Sequence, residues 1–134
     1  MLKFAHILLP TSLVGLAMLS PLLPAAAQSP GATCAENARN SSDPIAQINA
    51  LGRARNLARQ AAEAANGGLE VYRTEAAMHG RLADAPCVDN GDGSWTFTIK
   101  GGEPAFTVPS RETVVTVDSK TWQVRVDYNG SVRS

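Results

Sequence analysis

The sequence predicts an α+β fold: one N-terminal amphipathic helix packed on one face of a four-stranded antiparallel sheet. Three observations carry this. Trp95, Phe97 and Ile99 alternate with Thr96 and Thr98, and Trp122, Val124, Val126 and Tyr128 alternate with Gln123, Arg125 and Asp127; period 2 marks strands with one buried face. A longer stretch before them carries Ala50, Leu51, Ala54, Leu57, Ala58, Ala61, Ala62 and Ala65 along one side of a helix wound at 100° per residue. The connections that follow are short, which favours antiparallel neighbours and a single covering layer.

Residues 1–27 read as a cleaved secretory leader. Lys3 gives a positive start, 7–23 is almost wholly apolar, and Ala25-Ala26-Ala27 supplies the small residues that signal peptidase requires before Gln28. Pro10 and Pro21 interrupt the apolar run, which falls short of the ~20 residues of a spanning helix. No cysteine follows the small residues directly. The expectation is therefore export without a stable membrane anchor, to the periplasm or the outside of a bacterial cell. Residues 28–42 have no apolar period and predict a flexible arm tied down only at Cys34. A single domain then spans 43–134.

Beyond the leader the chain has two cysteines, Cys34 and Cys87, and one histidine, His79. In an oxidising compartment a Cys34–Cys87 disulfide is the expected state, against two free thiols or a metal site. With two distant thiols and a single imidazole, no metal or other cofactor is expected. Such a bridge could contribute on the order of 3 to 4 kcal/mol through the unfolded chain. Positive and negative side chains number twelve each, and loss of Lys3 with the leader leaves one net negative charge. No field then draws the protein to nucleic acid or to membrane.

The helix is punctuated at both ends. Asp43 can accept from the free amides of a first turn, Pro44 suits the first helical position, and Asn66-Gly67-Gly68 supplies a positive-φ stop. Its buried face is mostly alanine, which lets the axis lie close to a sheet that supplies the bulk, with Trp95, Phe97, Trp122 and Val124 as partners. Strands are predicted over 69–74, 95–100, 112–118 and 122–128. An irregular connection is predicted over 75–88, and a turn at Asp89-Asn90-Gly91-Asp92-Gly93. Thr96, Thr98, Thr116, Arg125 and Asp127 should face water on the far side of the sheet.

Four features bear on chemistry. His79 follows Glu75 by four residues with Tyr72 nearby, but no Ser or Cys motif marks a nucleophile, so no catalytic residue is assigned. The turn at 89–93 has the look of a calcium loop. Aligned on Gly93, however, it puts Val88 and Ile99 at the first and last ligand positions, where carboxylates are required. Arg53, Arg55 and Arg59, with Arg39, give the helix a basic edge that could meet an acidic partner. Sheet edges and the 101–110 loop could accept a strand from another chain, although Pro104 and Pro109 would blunt that loop.

The alanine-faced helix, the Gly-Gly stop, and a strand ending Val117-Asp118-Ser119-Lys120-Thr121 before Val124 resemble the small exported PepSY-type domain over 45–128. This chain carries Trp122 where that family's turn has glycine. Residues 54–78 and 86–100 are also similar to a compact group of bacterial secreted proteins, a likeness with no activity attached. The PepSY resemblance implies a helix on an antiparallel sheet and a role in binding or restraining other proteins, often peptidases. The expected function is thus non-catalytic protein or peptide binding, with Arg53, Arg55 and Arg59 as partner-facing residues. The alternatives are a small hydrolase using His79 and nearby carboxylates, and a structural assembly subunit. The sequence leaves the oligomeric state open.

Overall fold

The computed structural model describes residues 30–134, and the leader expected over 1–27 lies outside them. The protein is α+β as expected, with two α-helices and five antiparallel strands among the described residues in place of one and four. The elements are α1 (Pro30–Arg39), α2 (Pro44–Ala65), β1 (Arg73–Thr74), β2 (Cys87–Asp89), β3 (Ser94–Gly102), β4 (Arg111–Asp118) and β5 (Val124–Ser131). Short 3₁₀ turns lie at Ala76–Met78 and Leu82–Asp84.

The arm expected to be flexible is instead largely helical. In α1, Cys34, Ala35 and Ala38 fall on one side and are buried, and the Cys34–Cys87 disulfide fixes that side to β2 with Cα atoms 6.2 Å apart. Ten residues are too few to hold a helix in water on propensity alone. Tertiary packing and the bridge stabilise it, and neither leaves a periodic pattern in the sequence.

Helix α2 has the predicted ends. The Asp43 carboxylate accepts from Ala46 N, and Pro44 opens the first turn. At the other end Gly68 N donates to Glu63 O (2.8 Å) and Gly67 N to Ala64 O (3.3 Å), with Gly67 at φ 97°. This is the paired-bond stop that needs a residue free to enter left-handed space. Leu51, Ala54, Ala58 and Ala62 are buried against Tyr72, Phe97, Ile99, Val115 and Val117. The small face of the helix and the large face of the sheet thus complement one another.

Strands β1 and β2 both pair with one side of β3, and β4 and β5 follow on its other side. The strand predicted over 69–74 shrinks to two residues, because Val71 N and Tyr72 N both donate to Gly68 O and prolong the turn. The 75–88 connection, read as irregular, ends in β2, which pairs Val88 with Thr96. The last strand starts two residues late. Trp122 sits in the preceding turn at φ 60° and is only half-buried.

The predicted core therefore needs one correction. Trp95 and Phe97 are buried, but Val124 and Val126 remain 39% and 43% exposed. Both lie on the helix side, opposite Val117 and Val115. They are at the rim of the sheet, however, where a single narrow helix cannot cover them. Beyond them a bulge shifts the register between Val114 and Val115, so that Val126 faces Val115 while Tyr128 faces Val114. Asp127 is the extra residue, and Tyr128 moves to the open face. The simple alternation from Trp122 to Tyr128 fails there. That open face carries Thr96, Thr98, Thr116, Arg125 and Asp127, as expected, and among the described residues no helix covers it.

Candidate functional site

His79 caps the first 3₁₀ turn, exposed, with Nε2 2.9 Å from Thr74 Oγ1. The Glu75 carboxylate accepts from Lys100 N at 2.8 Å. Tyr72 is buried in the core, and that burial pushes its phenol up, opposed by the neighbouring Thr113 hydroxyl. Through these contacts all three residues fasten the β1 segment to the rest of the sheet and the core.

The 89–93 turn is closed by its own carboxylates. Asp89 Oδ1 accepts from Gly91 N, and Asp92 Oδ1 accepts from Ser94 N and Ser94 Oγ. The Ser94 hydroxyl is the main cause of the lowered Asp92 pKa. Among the described residues no group of three or more His, Cys, Asp or Glu side chains is placed to hold a metal ion.

Each arginine singled out on α2 is engaged within the chain. Arg53 lies over the Trp122 ring at 3.9 Å, Arg55 donates to Gly80 O at 2.7 Å, and Arg59 pairs with Glu63 at 2.7 Å. Helical winding puts Arg53 on the flank of Ala50, Leu57 and Ala61, and Arg55 and Arg59 on the other flank. Arg53 thus lies beside Trp122, in the turn that leads into β5.

The sheet has two unlike edges. On the far side, β1 and β2 are two and three residues long, short enough to limit pairing with another chain. The β3 end of the 101–110 loop is already paired, Gly101 with Thr74 and Gly102 with Arg73. On the near side β5 runs for eight residues and, among the described residues, pairs with β4 alone. Asp118 N donates to Gln123 O at 3.0 Å, so that carbonyl faces β4. Alternation then turns the peptide groups of Val124 and Val126 outward, free to bond another strand. Half-covered apolar surface from Leu57, Trp122, Val124 and Val126 borders this edge on the helix side.

On the other face, Arg125 and Asp127 of β5 form an ion pair, and Thr116 Oγ1 donates to Asp127 Oδ2 at 2.6 Å. These bonds, that from Arg125 foremost, hold the Asp127 carboxyl below its ordinary value. Arg125 and Asp127 also line a shallow polar concavity of about 790 Å³ with Asn90, Asp92, Thr96 and Thr116. Its carboxylates are occupied by neighbouring donors of the chain. Sheet edges were expected as possible docking sites, but that β5 forms one of them was not legible, because a strand's position in the sheet, and hence which peptide groups stay bare, depends on pairing. The Arg125 and Val126 alternation was the local signal. Comparison with protein-family models, curated proteins and solved structures gives no match for this chain.

Proposed function

We propose that this chain is an exported, non-catalytic protein-binding module that takes up an extended segment of a protein chain as an added strand on β5. The observation that carries the reading is the eight-residue edge strand, with outward peptide groups beside the half-exposed Val124 and Val126. Main-chain bonds would supply affinity and the apolar rim specificity. A likeness to PepSY-type domains points to the same class of role. Export is supported by the buried Cys34–Cys87 disulfide, which persists in an oxidising compartment. No helix among the described residues is long and apolar enough to cross a membrane.

The test is photocrosslinking in living cells from a photoreactive residue replacing Val126, with Ile45 as control. Ile45 is 76% exposed at the start of α2, away from the edge. Crosslinks to a protein chain from position 126, well above those from position 45, are the expected result. Equal yields from the two positions would remove β5 as the docking edge.

A further inference from the structure

Resting on the reading of β5 as a docking edge, we infer that its occupant is β5 of a second copy of this chain, paired antiparallel about a two-fold axis through Val126. The inference follows from the outward peptide groups and the order of charges along the strand. An isologous pair sets each residue opposite a fixed partner, so a centre must be chosen. Outward groups at Val124 and Val126 admit three centres, and one at Val124 sets Gln123 opposite Arg125, so that no opposite charges meet. A centre at Arg125 bonds Val124 to Val126 twice but sets two guanidinium groups face to face, a destabilising arrangement for like charges on one face of a sheet. A centre at Val126 lets the two Val126 residues exchange both main-chain bonds. It also sets Arg125 of each copy opposite Asp127 of the other, giving two cross-strand ion pairs.

Side-chain placement suits this register. Arg125 and Asp127 already lie together on the open face, with Thr116 holding the carboxylate, so they need little reorientation to face a second copy. On the helix side the two Val126 side chains meet beside Val124 and Trp122, withdrawing the exposed rim from water. The bulge limits the ladder. Beyond Asp127 the strand shifts register against β4 and Tyr128 turns to the open face, so the regular outward alternation stops there. The outcome is a small interface and a weak, concentration- and salt-dependent dimer.

Charge reversal in mixtures tests the register. Sedimentation equilibrium of the purified chain should show a monomer–dimer equilibrium within concentrations up to about 1 mM, the weak end of measurable association. Arg125→Asp leaves the edge with two acidic residues, and Asp127→Arg leaves it with two basic ones. Each variant alone should dimerise at least about tenfold more weakly than the wild type. Their equimolar mixture should regain dimer, because the acidic edge of one meets the basic edge of the other. An intrachain role for the Arg125–Asp127 pair predicts no such recovery.

Far-UV circular dichroism confirms folding of each variant. Concentration-dependent exchange protection of the Val126 amide in the wild type gives a readout independent of them. A wild type that stays monomeric overturns the inference, as does a mixture no more dimeric than its components. Crosslinks from position 126 to other proteins, with a monomeric wild type, would reject the second copy as occupant while leaving β5 as the docking edge.

Discussion

Trp122 occupies left-handed backbone space at φ 60°, a conformation that disfavours any side chain with a Cβ by about 1 kcal/mol. The ring is retained there in contact with Arg53 and half-buried on the core. Trp122→Gly should therefore be more stable than Trp122→Ala by about 1 kcal/mol, since only glycine relieves the backbone while both lose the ring. Urea unfolding of the two variants measures the order, and an Ala variant equal to or above Gly would refute it. Glu112 is buried on the otherwise open face, bonded by Arg133, which also lies over Tyr128 at 3.6 Å. Burial raises its pKa, but the bonds and charge of Arg133 outweigh this and leave it below its ordinary 4.5. A carboxyl lowered in the folded state contributes stability that is present above the unfolded value and disappears as pH falls through the folded one. Glu112→Gln should thus be less stable than the wild type at neutral pH, and the gap should shrink below about pH 4.5. A gap unchanged across that range would show that the carboxylate contributes nothing.

At the level of elements, the short α1 and the bulged β5 are where local pattern and observed structure part. Helix α2 was legible to its ends because Asp43, Pro44 and the Asn66-Gly67-Gly68 stop act through bonds within a few residues. Strands β3 and β4 were legible because the period-2 pattern coincides with full burial of Phe97, Ile99, Val115 and Val117. Helix α1 had no comparable local signal: its buried side is Cys34, Ala35 and Ala38, and its anchor is a cysteine 53 residues away. Replacing Cys34 and Cys87 together by alanine should lower stability by about 2 to 4 kcal/mol. Amides of α1 should then exchange well before those of β3, as hydrogen exchange with mass spectrometry would record. Uniform acceleration of both elements would mean that α1 is integral to the core and not fastened by the bridge. In β5 the pattern continued unbroken through Asp127, yet one extra residue against Val114 moved Tyr128 to the other face. The candidate edge was legible only in part for the same reason: Arg125 and Val126 were visible as a strand, but its place at the rim was not.

Over the whole molecule, polar contacts join the α2 C-terminus to β4 and to the edge strand β5. Asn66 Nδ2 donates to Thr113 Oγ1, Thr113 Oγ1 to Asn129 Oδ1, and Asn129 Nδ2 to Ala65 O. This sets where the helix lies across the sheet and leaves the β5 rim at Val124 and Val126 partly uncovered. If the protein is exported as proposed, N-terminal sequencing of the extracytoplasmic form should begin at Gln28, and material beginning at Met1 would contradict it. The amino-acid order by itself determined the class of fold, both ends of α2, the two central strands and the pairing expected of its cysteines. Each of these follows from short-range periodicity, capping chemistry or a choice with a single pair. Only the tertiary structure decided that the N-terminal arm is largely a helix and that, among the described residues, five strands form the sheet with β5 left bare on one side. Those outcomes depend on which distant segments compete for the same backbone bonds and the same buried surface, and no local window of residues contains that competition.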